Sequence, residues 1–171
     1  MENILLIQTK DSEKEQFIHN IQDAFKKSFV DEFGKTDGEI ITREDVIKSF
    51  NALGAVTYNI IHENKIVGGV VVIINEDTNR NVLSLFFVNI DCQSKGIGYT
   101  AWKMIESFYP ETKVWETFTP YSDKRNIHFY VNKCGFHIVE FSNPHHLKKN
   151  HNEIDMSNPI DKYHFRFEKL M

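Results

Sequence analysis

Cysteine is scarce in this sequence: Cys92 and Cys134 are the only two. Their spacing fits no metal-binding pattern, so they point to a reducing compartment rather than to a disulfide scaffold. No apolar run approaches the roughly 20 residues that a membrane helix needs. Met1-Glu2-Asn3 lacks the basic start and apolar stretch of a signal peptide. The expectation is a cytoplasmic protein with no membrane partner. Basic charge is also short. Lys and Arg number 20 against 24 Asp and Glu, leaving −4 with His neutral. Without a long basic cluster, that balance argues against nucleic acid as a partner and suits a cationic small molecule. Repeats and low-complexity stretches are missing too. What remains is 41% apolar and 26% charged. This is ordinary for a globular chain, and 171 residues give room for a single domain, 1–171, with its own core.

The hydrophobic pattern predicts a strand at Ile4–Ile7, then a helix capped by Asp11 or Ser12. That helix runs to about Phe29, with Phe17, Ile18, Ile21 and Phe25 on one face. Asp31–Glu39 reads as a polar loop. Thr42 opens a helix, Arg43–Phe50, with Asp45 at the capping-box position. Strands follow at Val56–Ile61 and Ile66–Ile74, joined by the turn His62–Lys65 as an antiparallel hairpin. Gly68-Gly69 in the second of these signals a bulge or a close backbone approach. Val82–Ile90 is the most apolar strand and therefore central. A helix to about Phe108 is stopped by Pro110. Lys113–Thr119 is a strand, and a helix from Ser122 or Asp123 through Lys133 ends at Gly135. Phe136–Phe141 and Tyr163–Lys169 close the chain as strands, around the polar loop Ser142–Asp161. The order predicts an α+β fold with a mixed, mostly antiparallel sheet flanked by helices. The unit Val82–Thr119 should be parallel.

The informative segment is Gln93-Ser94-Lys95-Gly96-Ile97-Gly98, between the apolar strand and a helix. Its glycines bring backbone N–H groups close to a ligand, and the helix start adds unpaired donors and a positive dipole end. Lys95 adds a full charge. The loop suits phosphate; a plain strand-to-helix turn is the alternative. Tyr99 breaks the Walker A pattern. Gly96-Ile97-Gly98-Tyr99-Thr100-Ala101 fits the dinucleotide fingerprint, but Asp91–Lys95 separate it from its strand.

In this context Gln93, Gly96 and Gly98 resemble the Q/R-x-x-G-x-G/A motif of the GNAT acyltransferases. Asn126–Phe136 is similar to the N-x-x-x-F/Y-Y-x-x-x-G-F segment of the same family. The two motifs are independent and correctly ordered, and the element order from Ile4 to Lys169 fits as well. The resemblance implies acetyl-CoA as cosubstrate and a primary amine, of a small molecule, peptide or protein, as acceptor. It implies that the pantetheine arm lies along Phe87, Val88 and Asn89 like an added strand. Gln93, Ser94, Lys95, Gly96, Ile97 and Gly98, with Tyr99, would hold the pyrophosphate. The N–H near Val88 would face the thioester oxygen. Asn126 would contact the cofactor, and Tyr130, four residues on and on the same helical face, would protonate the departing thiolate. A homodimer is admitted. The alternative is a GNAT-fold module that binds acyl-CoA without turnover.

The apolar strand holds no carboxylate. Glu116 on the next strand is then the best-placed general base, its other reading being an exposed strand charge. His128, two positions from Tyr130, should point elsewhere on its helix. Cys92 and Cys134 lack a basic setting and read as inert thiols. His145, His146 and His151 match no common zinc spacing, so no metal is expected. The Ser142–Asp161 loop is long enough to shape acceptor choice.

Overall fold

The computed structural model describes residues 3–93, 95–146 and 162–171. Its elements are β1 (Ile4–Gln8), α1 (Lys14–Phe33), α2 (Arg43–Asn51), β2 (Ala55–His62), β3 (Lys65–Ile73), β4 (Arg80–Val88), α3 (Ile97–Phe108), β5 (Val114–Pro120), α4 (Lys124–His128), β6 (His137–Ser142) and β7 (His164–Leu170). Among the described residues the strands form one seven-stranded sheet in the order β1-β2-β3-β4-β5-β7-β6. Only β4 and β5 pair in parallel. The expected mixed, mostly antiparallel α+β sheet is therefore present, with apolar β4 at its centre. No described helix is long and apolar enough to cross a membrane.

Two clusters sandwich the sheet. Trp102, Ile105, Trp115, Tyr130, Phe136 and Phe167 belong to one, against α3 and α4, and Val70 and Val72 of β3 face it. Phe17, Ile21 and Val46 belong to the other, against α1 and α2, and Val71 faces that one. Successive strand residues thus point to opposite layers. The pair Gly68-Gly69 works by close approach. A Cβ on Gly69 would lie 2.2 Å from the Phe17 ring, so α1 sits directly on β3 there.

Three local features differ from the sequence reading. Helix α1 continues one turn past Phe29, into the first three residues of the segment expected to be loop, and stops at Gly34, whose N–H donates to the Val30 carbonyl at 2.9 Å. Asp31 and Glu32 are acceptable in an exposed helix, and the series Phe25, Phe29, Phe33 carries one face onward at i+4 spacing. The start of α1 is a tight 3₁₀ turn at Asp11–Glu13, in which the Lys10 N–H donates to Glu13 Oε2 at 2.9 Å. The helix after β5 changes pitch: from Phe129 to Lys133 it widens to π geometry. The capping box of α2 forms as expected, with the Asp45 N–H donating to Thr42 Oγ1 and the Thr42 N–H to Asp45 Oδ2, both at 3.1 Å.

Strand β4 carries a bulge. Val72 pairs with Leu83 but Val71 pairs with Leu85, so Ser84 is the extra residue. The Ser84 hydroxyl lies 2.9 Å from that of Ser49 on α2. The bulge resets the facing of everything after it: Leu83 faces the α3 layer, whereas Leu85 and Phe87 face α1.

Candidate active site

The centre of the sheet is split. Strands β4 and β5 pair only at Arg80–Val114, Asn81–Trp115 and Val82–Glu116, and they diverge beyond that point. At the fork the Thr117 hydroxyl donates to the Leu83 carbonyl at 2.9 Å, taking the place of the next ladder bond. Past the fork, the Asn89 N–H donates to the Val67 carbonyl of β3 at 2.8 Å. In an antiparallel ladder bonded and non-bonded positions alternate, so Val88 and Phe86 turn their N–H and C=O groups away from β3, into the gap. Beyond Val82, that edge of the central strand therefore has no strand partner.

The gap opens into a cleft of about 1160 Å³. Of the residues singled out from sequence, Phe87, Val88, Gln93, Gly96, Gly98, Tyr99, Asn126 and Tyr130 line it. Gly96 is the residue before α3 and has φ +78, with open space where a Cβ would stand. Gly98 differs: a Cβ there would lie 3.5 Å from the Phe129 ring, an ordinary contact, so the position has no open space but would admit a first side-chain carbon. Phe129 itself stacks on Phe86 at 5.6 Å. The Gln93 side chain donates from Nε2 to the Val88 carbonyl at 2.7 Å, while its Oε1 is buried and unpartnered among the described residues.

Four expected positions lie elsewhere. Asn89 is tied to β3 through its backbone N–H, Ile97 is buried in the core, and Lys95 is exposed; none of the three lines the cleft. Ser94 lies outside the described residues. Glu116, expected as base or exposed charge, is neither in the cleft nor exposed. It is 8% accessible, with Arg166 Nη1 at 3.1 Å and Arg80 Nη2 at 4.0 Å. Val82–Glu116 is the last closed pair, so the Glu116 side chain belongs to the intact part of the sheet. There Arg166 is shared with Glu140 and Glu168.

Tyr130 is 4% accessible, and burial pushes its pKa well above the ordinary phenol value, with the Thr117 side chain opposing the shift. The phenol is thus fully protonated at neutral pH. Asn126 donates from its backbone N–H to Asp123 Oδ1 at 2.9 Å and from Nδ2 to Asp123 Oδ2 at 2.8 Å. Asp123 lines the cleft as the cap of α4, and burial raises its pKa; the Asn126 N–H opposes this and the Glu32 charge adds to it. His128 stands on the rim after all, its Nδ1 2.9 Å from Asn132 Nδ2. Burial pushes the Cys134 thiol up to about 12, in keeping with an inert role.

Sequence reasoning missed Thr117, Asp123 as a cleft carboxylate, and the α1 wall of Phe25, Phe29, Glu32 and Phe33. The signal for that wall was the unbroken i+4 phenylalanine series. Of the Ser142–Asp161 segment, residues 147–161, His151 included, lie outside the described residues. His146 Nε2 is 3.3 Å from Glu140 Oε2.

A family model described as Acetyltransferase (GNAT) family matches residues 16–136. The chain is 49% identical over 173 residues to the uncharacterized protein YrkN of Bacillus subtilis (strain 168), covering 98% of this chain and 94% of that protein. Its structure is similar to an acetyltransferase of the GNAT family from Staphylococcus aureus Mu50, with TM-score 0.71, 19% identity, and 98% and 99% of the two chains covered. It is also similar to spermidine N-acetyltransferase from Vibrio cholerae in complex with CoA and spermine, with TM-score 0.67, 12% identity, and 98% and 95% covered. At these identities the structural likeness speaks for the fold alone.

Proposed function

The chain belongs to the acetyltransferase (GNAT) family, and from that membership we propose that it transfers the acetyl group of acetyl-CoA to a primary amine by direct attack. The observation that carries the reading is the one-sided edge of β4: a sheet that leaves its central strand unpaired beyond Val82 offers backbone groups to an extended ligand. The cleft fits acetyl-CoA in two further respects. Gly96 leaves open space at the start of α3, where N–H donors and the helix dipole favour phosphate. Gln93 Oε1 is a buried acceptor in need of a donor, such as a pantetheine amide.

In the reaction the amine lone pair attacks the thioester carbonyl carbon, and the carbon–sulfur bond breaks. The Val88 N–H, turned into the gap, stabilises the charge that develops on the carbonyl oxygen. Tyr130, protonated and at the wall of the gap, gives its proton to the leaving sulfur. Glu116 takes no part, being paired with Arg166. The proton from the attacking ammonium goes to Asp123, the partly buried carboxylate of the cleft, whose raised pKa makes it the stronger base.

Calorimetry with acetyl-CoA, followed by thiol release across a panel of amines, tests the reading. It requires binding and acceptor-dependent thiol release. Binding without release for every amine favours the acyl-CoA-binding module, a reading supported by the removal of Glu116 from the cleft. No binding at all overturns both.

A further inference from the structure

We infer that Ser49 of α2 is a positioning residue for acetyl transfer: through the Ser84 hydroxyl it holds the bulge of β4 and so sets where the Val88 N–H stands in the gap. The inference rests on the acetyltransferase reading and deepens it. Its first support is the pairing of β4. Val72 opposes Leu83 and Val71 opposes Leu85, so one residue is skipped. Continued without the skip, the register of Val72 and Leu83 would bring Val88 opposite Val67. Asn89 holds that place instead, with its N–H on the Val67 carbonyl at 2.8 Å. Bonded and non-bonded positions alternate along an antiparallel pair, so the skip turns the Val88 N–H away from β3. The donor for the thioester oxygen therefore depends on one extra residue upstream.

The second support is chemical. Val82–Val88 reads VLSLFFV, and Ser84 is its only polar residue. A hydroxyl partly buried in an apolar strand is costly without a partner. Its partner is Ser49, with the two oxygens 2.9 Å apart. One residue earlier, the Leu83 carbonyl accepts from the Thr117 hydroxyl at 2.9 Å. The bulge is thus gripped from α2 on one side and from β5 on the other.

The third support is that the fold does not need this bond to seat either partner. Val46 buries α2 in the cluster beneath it, and Ile47 and Phe50 pack against the same cluster. The Phe87 ring, 5.2 Å from that of Phe17, keeps the later residues of β4 facing α1. Ser49 is not among the described residues that line the cleft, whereas Ser84 is. Ser49 therefore acts through Ser84 or not at all. What the hydroxyl pair adds is fine placement of the strand that carries Val88. An oxyanion donor must stand at hydrogen-bond distance from the developing charge, and a misplacement of about 1 Å costs about 10²-fold in rate.

The experiment measures kcat and KM for Ser49→Ala, Ser84→Ala, the double variant and Ser49→Thr. Acetyl-CoA is saturating, thiol release is the signal, and the acceptors are the amine panel, with spermidine, 2-phenylethylamine and an unblocked peptide included. Alanine suits a helix, so Ser49→Ala should fold; calorimetry with acetyl-CoA checks the cleft. The expected result is a kcat about tenfold lower in Ser49→Ala, by one factor for every acceptor that supports turnover, with KM and acetyl-CoA affinity constant. A common factor marks the oxyanion, which all acceptors share; a contact with the acceptor would change KM, and unequally. Ser84→Ala should match it, the double variant should lose no more than either, and Ser49→Thr, which keeps the hydroxyl, should restore most of the rate. An unchanged kcat in Ser49→Ala, a loss confined to one acceptor, or a double variant that loses the product of both factors overturns the inference and leaves the acetyltransferase reading standing. Loss of acetyl-CoA affinity in Ser49→Ala makes the pair a structural tie and overturns it as well. No thiol release with any amine in the unmodified protein overturns the acetyltransferase reading and the inference together.

Discussion

At the scale of single residues, the cleft sets two titrating groups to opposite tasks. Tyr130 is buried and stays protonated; removal of its hydroxyl leaves the ring packing with Phe136 and Phe167. Tyr130→Phe should therefore lower turnover by about 10²-fold or more, with acetyl-CoA affinity little changed, as read by steady-state kinetics and calorimetry. Wild-type turnover in the folded variant would return Tyr130 to packing alone. Asp123 must be ionised to act as a base. Burial, aided by Glu32 and opposed by the Asn126 N–H, raises its pKa, so activity should fall as pH drops through a value above the ordinary carboxylate range of about 4. A pH profile of kcat/KM reads that limb, and Asp123→Asn should remove it together with most of the turnover. The sign for stability is the reverse. A folded-state pKa above the unfolded one favours folding at low pH, and that contribution is lost as pH rises through the folded value. Tyr130 and Asn126 were legible in the sequence because they sit in a motif. Asp123 was legible as a cap only; that its carboxylate lines the cleft follows from tertiary packing.

At the scale of elements, most boundaries could be read because local chemistry sets them. Thr42 and Asp45 announce the start of α2, and their reciprocal bonds form. Thr42→Ala should cost about 1 kcal/mol, measured by urea denaturation. It should also loosen Ile41, the neighbouring residue on the cleft wall. The end of α1 was misjudged because acidic residues there look like loop, although an exposed helix accepts them. The π turn at Phe129–Lys133 had no sequence signal, since its cause is the demand that Phe129 reach Phe86 while Tyr130 reaches Phe136 and Phe167. Likewise the bulge at Ser84 is invisible in an apolar run. It is set by pairing with β3 and by the Ser49 hydroxyl, and it decides which layer each later side chain of β4 enters.

For the whole molecule, the antiparallel hairpin and the parallel β4–β5 unit followed from the lengths of their connections. The insertion of β7 between β5 and β6 did not, because it depends on pairing across a long segment. Acetyl-CoA at about 100 times its Kd should stabilise the fold by about 2.7 kcal/mol. For a chain of this length that is a rise in Tm of about 5–10 °C. NAD at the same concentration should leave Tm unchanged, and scanning fluorimetry with both ligands checks the contrast. The three-residue contact between β4 and β5 also has a dynamic consequence. In solvent deuterium the backbone amides of Phe86 and Val88 should exchange at rates usual for the rim of a sheet, though they belong to its middle strand. Those of Leu85 and Phe87, bonded to β3, should be protected far longer. A two-residue alternation of fast and slow amides along one central strand is the signature to seek, and acetyl-CoA should erase it by slowing the fast set.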